Sequence, residues 1–230
     1  MNWHLPAALS LVVALAACGS SDEQRSEGFG ELLPELRQLR EQRSAEAAPL
    51  RPVGAFPGLD PALIAGRSDA MMGAYIASRE AVAGLVPGGA SGTVTTWQTA
   101  DGIGLMLSAT GLLVQTRGLG ADLHITDPGP TEALIARGGS GTVQRRYGFL
   151  DGTYRQQDMR FTCSVAPAGT QQIVLNGREF STTRYDERCE GGGESFVNSY
   201  WRGARGPLIR QSIQWVGPDV GAVHLQRLVE

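Results

Sequence analysis

The chain has 230 residues, a net charge of −3, 31 glycines and 20 cations, every one of them arginine. That length suits one domain with a substantial core and leaves little room for a second. A charge this near balance argues against a nucleic-acid partner; the Arg-richer stretch 137–210, with 11 Arg against 7 acids, reads as a solvated strand face, with an acidic glycan as the alternative.

Residues 5–17 form an apolar run, shorter than the ~20 residues a spanning helix needs, and Leu15-Ala16-Ala17-Cys18 closes it. Small residues before a cysteine at that place read as a lipoprotein signal. Cleavage between Ala17 and Cys18 would put diacylglycerol on the thiol and a third acyl chain on the new amine, more than the two signals that stable anchoring takes. The residues before the run carry His4 but no Lys or Arg, so an ordinary cleaved secretory signal stays open. Gly19 stands where Gram-negative lipoproteins kept in the inner membrane commonly carry Asp. The expected location is therefore the outer membrane, lipid-anchored on its periplasmic face.

Residues 18–30, rich in Gly, Ser and acids, read as a tether. Leu32, Leu33, Leu36 and Leu39 recur at helical spacing and predict a helix over 31–48, ended by Pro49, Pro52 and Pro57. Asp60 and Pro61 open a short helix at 61–65. From Met71 the texture is β, with strands predicted at 71–79, 81–86, 93–97, 103–108 and 112–116 and turns at Asp101-Gly102 and Thr110-Gly111. Residues 118–140 read as loop-rich, with a short helix near 131–136. Strands resume at 141–150, 153–165, 171–175, 178–185, 195–202, 208–216 and 220–228. The expected fold is all-β: an antiparallel meander of about ten strands, curled into a partly open barrel or folded sheet to bury one face and limit exposed edges. The expected divisions are a signal peptide at 1–17, an acylated tether and helix at 18–57, and one β-rich domain at 58–230.

With Cys18 claimed by lipid, Cys163 and Cys189 remain, and an oxidising compartment makes one disulfide of them. A two-residue turn at Asn176-Gly177 pairs residues whose numbers sum to 353, whereas the cysteines sum to 352; a single bulge corrects the register. Ala166-Pro167-Ala168-Gly169 is expected to break so long a hairpin, which leaves the compartment as the stronger argument. Two lone cysteines without nearby His make no metal-ligand set.

No catalytic residue, metal or cofactor is expected. Beyond His4 only His124 and His224 occur, and the chain has no nucleophile elbow, zinc-binding His-Glu-x-x-His or phosphate loop. His124, near Asp122 and Asp127, reads as solvent-facing rather than as a general base. Glycoside hydrolysis takes two carboxylates; Asp151, Asp158, Glu179 and Glu194 are available, with nothing to set any two across a cleft. Trp97, Trp201 and Trp215, with Tyr200, read as core packing, the alternative being a groove in which they stack on sugars.

Five segments in order, 94–102, 111–123, Phe161-Thr162-Cys163 with Cys189 later, Phe196-Val197-Asn198-Ser199-Tyr200-Trp201, and 209–218 continuing to Gly221, resemble the YjbF/GfcB family of outer-membrane lipoproteins encoded with group 4 capsule and related exopolysaccharide export systems. Thr116-Arg117-Gly118-Leu119-Gly120 is the most specific piece, and Ala121 stands where the family pattern has Asp. The resemblance implies a β-rich fold, a place in polysaccharide secretion and a barrel-forming outer-membrane protein as partner, with no established catalytic residue. Arg117 between flexible glycines reads as a structural turn braced on Asp122, or as part of a recognition loop of Thr116, Arg117, Gly118, Leu119, Gly120 and Asp122 for a partner or glycan. The expected function is a non-enzymatic lipoprotein accessory to exopolysaccharide or capsule assembly or export. The alternatives are a periplasmic lipid or glycolipid carrier and a glycan-modifying enzyme.

Overall fold

Asn176 and Gly177 have φ of 48° and 71°, the two left-handed positions that a type I′ turn demands. Around them Leu175 pairs with Arg178, and the chain runs into the two longest strands, β8 (Gln156–Leu175) and β9 (Arg178–Gly191). The computed structural model describes residues 56–150 and 156–230. The expected signal, tether and 31–48 helix, and Asp151, lie outside the described residues.

Twelve strands among the described residues form one antiparallel sheet. The first five are β1 (Met71–Ile76), β2 (Ala81–Ser91), β3 (Val94–Gln98), β4 (Gly104–Ser108) and β5 (Leu113–Arg117). Then come β6 (Leu123–Thr126) and β7 (Gly141–Leu150), and after β8 and β9 come β10 (Glu194–Gly203), β11 (Ile209–Gly217) and β12 (Gly221–Val229). Each strand pairs with the next except β5 with β6, and β1 pairs with β12. The meander thus closes through its first and last strands and keeps one seam, a nearly closed barrel as the turn spacing predicted. Two short α-helices accompany it among the described residues. In α1 (Pro61–Ile64) Asp60 caps by accepting from Ala62 N at 2.9 Å, and α2 (Gly129–Ala136) links β6 to β7.

Three sequence expectations are corrected. The strand predicted over 71–79 ends at Ile76, and Ala77–Arg79 form a 3-10 turn whose following residue, Glu80, has φ 49°. The loop-rich stretch 118–140 contains β6. The segment 166–169, expected to break the long hairpin around Asn176-Gly177, instead carries β8 through: between Pro167 and Thr170, two residues oppose Arg184 alone. A bulge absorbs the extra residue, bends the strand and increases its twist.

The barrel interior is filled by side chains. Tyr147, Phe161, Phe196 and Trp215 form its aromatic centre, with Phe196 stacked on Trp215 at 4.3 Å and Tyr147 edge-on to Trp215 at 5.2 Å. Leu85, Trp97, Leu105, Leu123 and Val223 pack into the same core. Burial of each large side chain is worth roughly 1.5–3 kcal/mol. A second cluster holds α2 in place, with Leu134 and Ile135 against Val165, Tyr185, Tyr200 and Ile209. Arg202 Nη1 donates to the carbonyls of Ile135 and Ala136 at 2.8 and 3.2 Å. It thereby places a cation at the negative end of the helix dipole.

Candidate functional site

The segment with the most specific resemblance lies at the seam. Gly118 and Gly120 have φ of 88° and 85°, so the chain reverses here through positions that suit glycine. Asp122 organises the turn: its carboxylate accepts from Gly118 N, Leu119 N and Thr116 Oγ1 at 2.8–3.0 Å. Thr116 Oγ1 in turn accepts from Leu123 N at 2.9 Å, which ties the end of β5 to the start of β6 across the unpaired seam. Leu119 is buried in the core, and its carbonyl accepts from Arg79 Nη2 at 2.6 Å. The bracing of the loop therefore comes from Thr116 and backbone amides. Arg117 is exposed and makes no ion pair with Asp122 or any other acid among the described residues. Of the candidate recognition residues, Thr116 and Leu119 face inward and Arg117, Gly118 and Gly120 are on the surface.

Cys163 and Cys189 form a disulfide at the pairing where β8 and β9 oppose them, with a Cα–Cα distance of 4.0 Å. Glu187 stands near enough to suggest a three-ligand cluster with them. Both sulfurs are spent in the disulfide, however, and the carboxylate has other partners, so the group is no metal site.

Those partners make a charged centre in the core. Glu187 is fully buried and accepts from Arg145 Nη1 at 2.8 and 3.0 Å, Asn198 Nδ2 at 2.8 Å, Tyr200 Oη at 2.7 Å and Thr131 Oγ1 of α2. Burial alone would raise its carboxyl; the Arg145 guanidinium and the three further donors outweigh burial and hold it below the ordinary carboxylate range. Burial would likewise lower Arg145, but Tyr147 and Glu187 beside it hold it above its usual value. Burial pushes the Tyr147 phenol up to about 12. Arg145 and Glu187 are both buried and each oxygen of Glu187 is engaged, so the cluster braces α2 against β7, β9 and β10.

The other candidate residues do not converge. Asp158 is bridged to Arg146 on the outer face of β8. Glu179 follows the hairpin turn at the far end of β9, and Glu194 opens β10; both are exposed. His124 is exposed on β6, while His224 packs edge-on to Tyr75 at 5.6 Å. Trp97, Tyr200 and Trp215 are core residues, as expected.

Trp201 alone faces the other side of the sheet. Beyond its bulge the β8–β9 hairpin curls over the outer face of β10–β12, where Asn176 Nδ2 donates to the Leu228 carbonyl at 3.3 Å. Between hairpin and sheet is a groove of about 750 Å³, closed on one side by Phe56 and Leu59. Its floor is Trp201, Gln211 and Gln226, and its wall is Gln171 to Val174. Trp201 Nε1 donates to Gln171 Oε1 at 2.6 Å, and Arg184 lies 5.2 Å over the indole while paired with Asp186 at 2.8 Å. Of the aromatics that the alternative reading grouped in a groove, only Trp201 lines this one, because the groove's position depends on how far the bulge turns the hairpin.

A nearly closed meander barrel with one laced seam and a side-chain-filled interior defines a small antiparallel β-barrel protein. The family model described as group 4 capsule polysaccharide lipoprotein gfcB, YjbF, matches residues 63–228, and the chain belongs to that family. The fold is similar to the crystal structure of the hypothetical lipoprotein YmcC from Escherichia coli (K12), with a TM-score of 0.64, 17% identity, and coverage of 74% of this chain and 88% of that one. No curated protein sequence matches the chain significantly.

Proposed function

We propose that the protein is a non-enzymatic accessory lipoprotein of exopolysaccharide or capsule assembly or export. The observation that carries this reading is the family match across the whole barrel, to a family described as capsule polysaccharide lipoproteins. The run Leu15-Ala16-Ala17-Cys18 supports acylation at Cys18 after cleavage behind Ala17, and Gly19 after it supports the periplasmic face of the outer membrane. A barrel-forming export protein is the partner, and the exposed part of the seam loop, Arg117 with Gly118 and Gly120, is its contact. The filled interior speaks against a carrier that would hold an acyl chain inside the barrel. The scattered carboxylates speak against glycoside hydrolysis.

The test is secreted and surface polysaccharide in a deletion strain complemented with wild type, Cys18→Ala or Arg117→Ala. Loss on deletion, with restoration only by chains that keep Cys18, supports an acylated export factor. Arg117→Ala is expected to impair export at an unchanged melting temperature. Unchanged polysaccharide on deletion, with the export genes expressed, overturns the proposal.

A further inference from the structure

Taking the protein to serve polysaccharide export as proposed above, we infer that the groove between the β8–β9 hairpin and the outer face of β10–β12 binds a short stretch of neutral saccharide chain. A groove of about 750 Å³ lies within the roughly 300–1,000 Å³ of ordinary ligand sites, which join apolar walls to a few placed polar groups. The polar groups here are mostly amides. Gln171 and Gln172 come from β8, Gln211 from β11 and Gln226 from β12. An amide side chain offers a donor pair and an acceptor side by side, which matches the vicinal hydroxyls of a pyranose, each both donor and acceptor. Ile173 and Leu228 supply apolar surface for the ring's C–H faces.

One of these amides is incomplete. Gln211 is 4% exposed, and its Oε1 accepts from Gln226 Nε2 at 2.9 Å. Its Nε2 is buried with no acceptor among the described residues. A buried donor left unpaired costs stability, and an acceptor brought by a ligand would recover that cost. The ligand's charge is set by Arg184, the one charged residue lining the groove. Both its Nε and Nη2 donate to Asp186, and Nη2 also reaches Ser199 Oγ at 3.3 Å. The Arg184 guanidinium is thus paired within the protein, and exposed Arg188, which shares Asp186 at 3.6 Å, does not line the groove, so nothing in the lining calls for an anionic ligand. The row of amides likewise disfavours an acyl chain, which would bury them without partners.

The test uses the full chain purified in detergent and isothermal titration calorimetry. The probes are maltotriose, the trimer of N-acetylglucosamine, and oligosaccharides released by mild acid from the exopolysaccharide of the cell that makes the protein. At least the last is expected to bind, and Gln211→Leu to weaken it about tenfold, the size of a lost hydrogen bond, at an unchanged melting temperature. Should Gln211→Leu fold poorly, Gln172→Ala on the exposed wall tests the same groove and is expected to weaken binding severalfold. Failure of all three probes to bind, equal binding by wild type and both variants, or binding of palmitate with no saccharide binding overturns the inference. The deletion strain complemented with Gln211→Leu separates the two readings. Full export by that strain alongside unaltered binding sinks the groove and leaves the export role. Saccharide binding lost in Gln211→Leu, with polysaccharide unchanged on deletion, sinks the export role and leaves the groove.

Discussion

Cys163 and Cys189 oppose each other because a bulge absorbs the one residue that β8 carries beyond β9 between them and the turn. Near the turn, Leu175 pairs with Arg178 and Thr170 with Thr183; past the bulge, Pro167 pairs with Tyr185 and Cys163 with Cys189. Were the same residues paired one to one without the bulge, the ladder would bring Glu190 opposite Cys163, and the pleat would send the two sulfurs to opposite faces.

The disulfide closes a loop of 26 residues and sits in the core beside Phe161. Cys163→Ser is expected to destabilise the barrel by about 2–4 kcal/mol. Urea denaturation of wild type with and without reductant checks this. Equal midpoints in the two conditions would show that the bridge contributes nothing.

Removal of Ala168 separates the bulge from the register. The deletion leaves one residue opposite Arg184, so the cysteines stay paired while the bend is lost. The disulfide should persist by mass spectrometry. The hairpin tip should lift from β10–β12, break the bond from Trp201 Nε1 to Gln171 Oε1, and shift Trp201 fluorescence to the red. An unchanged emission maximum would mean that the curl of the hairpin does not come from the bulge.

Glu187→Gln keeps the shape of the side chain and removes the charge that answers Arg145. A buried guanidinium without its counter-charge costs about 3–5 kcal/mol. Denaturation midpoints at neutral pH check the loss, and a double-variant cycle with Arg145→Met should show strong coupling. Because the folded carboxyl is held below its unfolded value of about 4.3, its contribution is present above that pH and lost as pH falls through the folded value. Glu187→Gln should therefore lack this part of the acid-side loss.

The outline of the barrel was legible in the sequence because most of its turns announce themselves locally. Asn176-Gly177 makes the two-residue hairpin that dipeptide favours, and strands β7 and β10–β12 fall within a residue or two of their predicted limits. What failed depends on longer range. Pro167 and Gly169 read as breakers, yet a bulge accommodates both, Gly169 with φ 104°. β6 is too short to show periodicity, and it is held by pairing with β7 and by Thr116 across the seam. Arg145 and Glu187 look like ordinary strand charges at positions 42 residues apart. Only the β7–β8–β9 ladder makes them neighbours. The importance of the 116–122 segment was readable, but not the device, since Asp122 braces it through backbone amides that any sequence would possess.

His224 supplies a pH dependence distinct from that of Glu187. It packs against Tyr75 between β1 and β11, and burial holds its imidazole below the ordinary value. The unfolded chain, with an imidazole near 6.5, takes up a proton first as pH falls. Stability should therefore be full above about pH 6.5 and decline below it until the folded imidazole also protonates. His224→Phe keeps an aromatic ring against Tyr75 and removes the proton. It should flatten the stability profile between about pH 6.5 and the onset of carboxylate titration near 4.3, and leave the Glu187-dependent loss below that in place. Equal slopes for wild type and His224→Phe across that window, measured by urea denaturation at half-unit steps, would show that His224 titrates alike in the folded and unfolded chain.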